Sequence, residues 1–82
     1  MSVEYYRKQI IDLRARLTKE KESKKKDNAY YAALIKGTSS ASSKTAYRKS
    51  KIAKAASHDR AIDNLKKQIE NAKANLAKAR KK

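Results

Sequence analysis

The 82-residue chain has no cysteine, no proline and no tryptophan, and it has a single glycine. Without cysteine it can form neither a disulfide framework nor a thiolate metal site. A β-rich domain of this length needs several turns, and most turns need Gly, Pro or Asn-Gly. The shortage of turn residues excludes a β-sandwich or barrel. A phosphate-binding loop, which needs several glycines, is excluded too.

Long apolar runs are also missing. The amino end is charged from Glu4 onward, and no apolar stretch reaches the length of a signal peptide. No run approaches the roughly 20 apolar residues that span a bilayer. We therefore expect a cytoplasmic protein that does not insert into a membrane.

The residues that dominate the chain are Ala, Lys, Arg, Leu, Ile, Gln and Glu. Most of them are good helix formers, and few breakers interrupt them. The composition therefore predicts an all-α fold built from long helices.

The first periodic segment covers about residues 3–36, with large apolar side chains at alternating steps of three and four. This is the a/d spacing of a coiled-coil heptad. The same phase passes through a polar stretch and returns to apolar residues at Tyr31 and Leu34. One unbroken helix explains this pattern, and a separate short helix capped by Asp27 or Asn28 is the alternative. The apolar members of the first part are Val3, Tyr6, Ile10, Leu13 and Leu17.

The second periodic segment covers about residues 45–81. Its stripe continues upstream through Ile52, Ala55 or Ala56, and Asp59, but two steps of three residues then meet at Ile62. We expect this phase slip to overwind a coiled coil locally. The regular part of the stripe comprises Ile62, Leu65, Ile69, Ala72, Leu76 and Ala79.

A Ser-rich turn is predicted between the helices, at residues 37–44. Gly37 suits the left-handed position just past a helix end. Ser40, Ser42 and Ser43 are each candidates for the N-cap of the second helix.

Folding the chain back near residues 39 and 40 places the strongest apolar positions opposite each other. Leu17 then faces Ile62, and Ile10 faces Ile69, while the polar middles of the two segments also coincide. We therefore predict a single domain, residues 1–82, that forms an antiparallel two-helix coiled-coil hairpin. Each arm would be roughly 50–60 Å long.

A lone hairpin is expected to be marginally stable, because two helices cannot bury a side chain on all sides. The formal charge of +15 adds self-repulsion. We expect the hairpin to bury the rest of its apolar surface by self-association, as in a four-helix bundle, or by docking on another helical protein. A free hairpin with fraying helices is the alternative. The predicted assembly seam consists of Val3, Tyr6, Ile10, Leu13, Leu17, Ile62, Leu65, Ile69 and Leu76.

No catalytic chemistry is predicted. The one histidine, His58, lies in the string SHDR, but neighbouring residues on a helix point in different directions, so the string is not a triad. We expect an exposed helical histidine. The eight carboxylates show neither paired-acid nor metal-ligand spacing, so we expect a non-enzyme without metal or cofactor.

Basic charge is the strongest compositional signal, with 23 Lys and Arg against 8 Asp and Glu. Clusters of Lys and Arg can neutralise the phosphates of a nucleic acid without recognising its base sequence, so nonspecific binding of DNA or RNA is the alternative function. A solvated coiled-coil face explains the same lysines equally well. The candidate nucleic-acid contacts are Lys24, Lys25, Lys26, Arg48, Lys49, Lys51, Lys54, Lys78, Arg80, Lys81 and Lys82.

Three stretches together resemble a known type of region: MSVEYYRKQIIDLRARL, SSASSKTAYRKSKIAKA and IDNLKKQIENAKANLAKARKK. They resemble the lysine-rich coiled-coil region that precedes TIR-type effector domains in some bacterial immune proteins. The resemblance implies a non-enzymatic assembly or interaction module in bacterial defence. Since no effector domain follows Lys82 in this sequence, we expect a free-standing module or a fragment.

Overall fold

The computed structural model describes residues 2–81, which form two α-helices joined by a three-residue loop. Helix α1 spans Val3–Gly37 and helix α2 spans Ala41–Arg80. The helices pack antiparallel in a rod that measures 64 × 14 × 11 Å. The predicted all-α helical hairpin is confirmed. Neither helix has a stretch within residues 2–81 that is apolar and long enough to cross a membrane.

Helix α1 is continuous from end to end, so the alternative of a separate helix capped by Asp27 or Asn28 is wrong. It begins after Ser2, whose Oγ accepts a hydrogen bond from the Tyr5 amide at 3.2 Å. Glu4 lies in the first turn and Lys36 in the last, where each charge opposes the helix dipole.

The loop is shorter than predicted and needs no left-handed residue. Gly37 remains helical, and no residue in the range 2–81 has a positive φ. The prediction of a left-handed Gly37 is therefore wrong. Helix α1 ends instead at Thr38, which is extended, and Thr38 Oγ1 accepts from the Ser40 amide at 3.3 Å. Because this hydroxyl satisfies an amide in the loop, the reversal does not require a glycine conformation.

Ser40 is the N-cap among the three candidate serines. Its Oγ accepts from the Ser43 amide at 3.3 Å, and its carbonyl accepts from the Lys44 amide at 3.0 Å. Helix α2 therefore begins at Ala41, four residues before the predicted boundary at 45. At the other end the Lys81 amide donates to the Lys78 carbonyl at 3.3 Å, which closes the last turn.

The hydrophobic core lies in the half of the rod away from the loop. Its buried members are Ile10, Leu13, Ile69 and Ala72. Three further leucines pack against this cluster, and the remaining predicted seam residues are half-buried. The predicted assembly seam thus lies between the two helices of one hairpin, and its contact with a second chain stays a prediction. The packed leucines are Leu17, Leu65 and Leu76.

The upstream part of the α2 stripe differs from the prediction. Ile52 is 70% exposed and Asp59 is also exposed, whereas Ala55 and His58 are half-buried against α1. Since His58 precedes Ile62 by four residues, the three-four alternation continues without the predicted slip. The reason is that α1 supplies charged partners that hold His58 at the interface.

A change of phase does occur, but nearer the loop and in the opposite sense. The half-buried residues of α2 in this part include Tyr47, Lys51 and Ala55, which are separated by two consecutive four-residue steps. An added four-residue step unwinds a coiled coil instead of overwinding it.

Candidate functional site

Midway along the rod the aliphatic seam is replaced by polar side chains. Helix α1 presents Glu20, Lys24 and Asp27 at seam positions, and α2 presents His58 opposite them. All four side chains are half-buried. Polar groups at an interface of this kind need partners from the facing helix, because they have lost much of their water.

His58 lies between two carboxylates of α1. Its Nδ1 is 2.6 Å from Glu20 Oε1, and its Nε2 is 2.6 Å from Asp27 Oδ2. The two acids are seven residues apart, which is two helical turns, so they stand on one face with the imidazole ring between them. The His58 side chain is only 15% exposed.

This geometry favours the doubly protonated ring. A neutral imidazole has one N–H donor and one acceptor nitrogen, and the acceptor would face a carboxylate oxygen. Two hydrogen bonds raise the pKa of His58 above its ordinary value of 6.5, and the bond with Asp27 contributes more than the bond with Glu20. Partial desolvation of the ring opposes this rise. When protonated, the imidazolium can donate to both carboxylates and so links α2 to two seam positions of α1 that are seven residues apart.

A second ion pair flanks the histidine. Lys24 Nζ lies 2.6 Å from Asp59 Oδ1. The lysine is half-buried and the aspartate is exposed, so solvent weakens this pair. We call the five interacting residues the polar clamp: Glu20, Lys24, Asp27, His58 and Asp59.

The side chains of the polar clamp contact one another across the two helices. Both His58 nitrogens are engaged, and Asp59 contacts Lys24 instead of the ring. Among residues 2–81, no three or more His, Cys, Asp or Glu side chains are placed to hold a metal ion.

The prediction of an exposed histidine is wrong, because it treated α2 without its partner helix. A signal in the sequence could have found this contact. Extending the heptad back by four residues from Ile62 gives His58, and extending the α1 phase gives acids at the same level.

An open groove lies between the helices close to the loop. Its volume is about 560 Å³, and its apolar lining comes from Ala32 and Ile35 of α1 and from Ile52 and Ala55 of α2. Ile35 is half-buried, whereas Ile52 projects into solvent. We call this the turn-end groove, and its polar rim consists of Asn28, Lys36, Arg48 and Lys51.

The turn-end groove lies in a region without acids. Residues 28–57 contain six Lys and Arg and no Asp or Glu. Within residues 2–81 no carboxylate pairs with Lys36, Arg48 or Lys51. The rim cations therefore have no carboxylate partner among residues 2–81.

The predicted nucleic-acid contacts are distributed over two parts of the rod. Lys24 belongs to the polar clamp and Lys51 to the groove rim, while Lys82 lies outside the described residues. The candidates at residues 24–26 and 48–54 lie toward the loop, whereas Lys78, Arg80 and Lys81 lie at the opposite end. The exposed candidates are Lys25, Lys26, Arg48, Lys49, Lys54, Lys78, Arg80 and Lys81.

Two tyrosine pairs add aromatic surface at the two ends of α1. The rings of Tyr5 and Tyr6 pack edge to face with their centroids 5.2 Å apart, and those of Tyr30 and Tyr31 do so with their centroids 5.3 Å apart. Tyr5 and Tyr30 are the exposed members. Each pair orients one ring toward solvent and leaves the other half-buried against α2.

Comparison with known protein families, with curated proteins and with solved structures finds no match to this chain. Function is therefore inferred from the residues and their geometry.

Proposed function

We propose that this chain is a non-catalytic helical interaction module. The observation that carries the proposal is the division of its apolar residues. Ile10, Leu13 and Ile69 are buried in the contact between the two helices, whereas Ile35 and Ile52 remain in an open groove. A hairpin with so small a core gains stability from any partner that binds only its folded form.

Light scattering and circular dichroism at physiological salt test this proposal. A helical chain that forms a defined oligomer, or that binds another helical protein as a monomer, is the expected result. A poorly helical monomer that no candidate protein orders would contradict it. The double variant Leu13→Asp, Ile69→Asp should abolish both helicity and assembly. Ile11→Asp is its matched control, because Ile11 is 65% exposed.

Nonspecific nucleic-acid binding is the second candidate function. The acid-free span of residues 28–57 favours it, because six cations there have no competing carboxylate. Binding to duplex DNA and to RNA should fall steeply as salt rises. No binding near 0.1 M salt would eliminate this function. Lysine outnumbers arginine in the chain, which favours diffuse attraction over specific recognition of bases.

The biological setting that we propose is cytoplasmic assembly within a bacterial defence system. Its support is the sequence resemblance to the region that precedes TIR-type effector domains. The genes beside this one test it, since defence components should be encoded there. Neighbours with an unrelated common role would contradict the setting and leave the interaction module in place.

A further inference from the structure

We propose that the turn-end groove binds an acidic amphipathic helix of a partner protein. The inference rests on the proposed interaction function and specifies the chemistry of the partner. It follows from the shape of the groove, from its charge and from the kind of side chains that line it.

The shape of the groove fits a third helix. Its lining on α1 extends over residues 28–36, about two helical turns or roughly 12 Å. Ile35 of α1 and Ile52 of α2 both line the groove, so an apolar side chain inserted there can touch both helices. A helix seated in this way contributes residues spaced three and four apart, as amphipathic helices in hydrophobic grooves do.

The charge of the groove selects an acidic partner. Lys36, Arg48 and Lys51 line the rim and have no carboxylate partner among residues 2–81. Glu or Asp residues that flank the apolar stripe of a bound helix would meet these cations. Complementary charge of this kind speeds association and excludes basic competitors.

A second copy of the chain is a poor occupant. Residues 1–41 carry ten basic and five acidic residues, and residues 42–82 carry thirteen and three, so both halves are positive. Single-stranded nucleic acid has the right charge, but its bases stack on aromatic rings. The groove is lined by Ile and Ala and contains no aromatic residue, so a peptide helix is the better match.

The test uses the full chain and a labelled 14-residue peptide with Leu at heptad a and d positions and Glu at the flanking positions. Fluorescence anisotropy at 0.1 M salt should show one-to-one binding. Ile52→Glu should weaken binding by ~10-fold or more, because it places a charge in the apolar wall. Ile11→Glu should leave it unchanged. The two isoleucines are matched, with 70% and 65% exposure, but Ile11 lies toward the opposite end of the rod.

Two further comparisons separate the groove from diffuse attraction. The variant Arg48→Glu, Lys51→Glu should weaken peptide binding more than Lys66→Glu, Arg80→Glu, which changes the net charge equally. A peptide of the same composition with its leucines scattered should bind more weakly than the amphipathic one. Equal effects in either comparison would overturn the inference.

The failure of this inference is distinguishable from the failure of the proposed function. In one outcome the chain is helical and assembles or binds another protein, but Ile52→Glu leaves the affinity for the peptide unchanged. This result would overturn the groove site alone. In another outcome a labelled 20-nucleotide poly-dT binds more tightly than the peptide, competes with it, and is weakened by Arg48→Glu, Lys51→Glu. This result would assign the groove to nucleic acid and would also overturn the inference. A chain without helical signal under these conditions would overturn both.

Discussion

The two halves of the rod differ in the side chains that fill the seam between the helices. In the half away from the loop, aliphatic side chains fill the seam, and all four buried residues of the described chain lie there. In the half beside the loop the seam contains Tyr31, Leu34, Tyr47 and Lys51, none of which is buried. The polar clamp lies between these two regions.

This difference separates the part that stabilises the hairpin from the part that we propose binds a partner. The half away from the loop removes apolar surface from water, which is the main stabilising contribution in the hairpin. The polar clamp disfavours other registers, because a shift would leave charged groups without partners. The half beside the loop keeps apolar and cationic side chains exposed, so it is the part suited to bind another molecule.

The largest effect is expected from the core. Leu13→Ala removes a side chain that is only 5% exposed, and we expect a loss of about 2–3 kcal/mol in the free energy of unfolding. Leu34→Ala, the same change in the half beside the loop, should cost less than half as much because Leu34 is only half-buried. Urea titration followed by circular dichroism measures both. Equal losses would remove the distinction between the two halves.

The next effect concerns pH and the polar clamp. The hydrogen bonds with Asp27 and Glu20 raise the pKa of His58 above its value of 6.5. The stabilisation is therefore fully present below pH 6.5 and is lost as pH rises through the higher folded-state pKa. The Tm of the wild-type chain should fall over this range.

The variant His58→Gln provides the control for the pH prediction. It keeps a side chain of similar polarity but cannot become charged, so its Tm should be lower than that of the wild type below pH 6.5. Its Tm should also vary less between pH 6 and pH 9. A wild-type Tm that rises over this interval, or a variant with the same profile, would exclude the clamp.

A smaller effect is expected at the start of α2. Ser40→Ala removes the N-cap oxygen that accepts from the Ser43 amide, and we expect a loss of about 1 kcal/mol in the free energy of unfolding. Ser42→Ala is the matched control, since Ser42 lies inside the helix and is exposed. If Ser42→Ala proved the more damaging change, the boundary of α2 would be misplaced.

The smallest effect has the opposite sign. Gly37 is helical, and a Cβ added there meets no atom within 4 Å. Gly37→Ala should therefore increase the free energy of unfolding by about 0.4–1 kcal/mol, because it restricts the unfolded chain. A destabilised variant would instead indicate the left-handed conformation that the sequence pattern suggested. Thermal melts at matched concentration distinguish the two outcomes.

Much of the fold could be predicted from the sequence, because the three-four spacing of aliphatic residues specifies both the helices and their facing sides. Ile10 and Ile69 belong to one buried cluster, as that pattern and a reversal near residue 40 predict. What could not be read from apolar residues alone was the side of α2 that faces α1 around His58. There the interface is determined by charges on the other helix, and Ile52 is left exposed despite being apolar.

Details of the loop were also beyond a propensity argument. Gly37 has the freedom to end a helix in the left-handed region, but Thr38 and Ser40 close the turn with side-chain hydrogen bonds. The groove was missed for a different reason. Its walls come from both helices, and the absence of acids over residues 28–57 becomes meaningful only once those residues are known to lie together.

The distance between spin labels at positions 12 and 71 most directly tests whether one chain closes its own seam. Both side chains are exposed, and each lies next to a residue of the same buried cluster, Leu13 and Ala72. With an excess of unlabelled chain present, dipolar spectroscopy should give a short distance, since packed helix axes lie about 8–10 Å apart. A separation approaching ~90 Å, as in one straight helix, or a short distance that vanishes on dilution with unlabelled chain would contradict the hairpin.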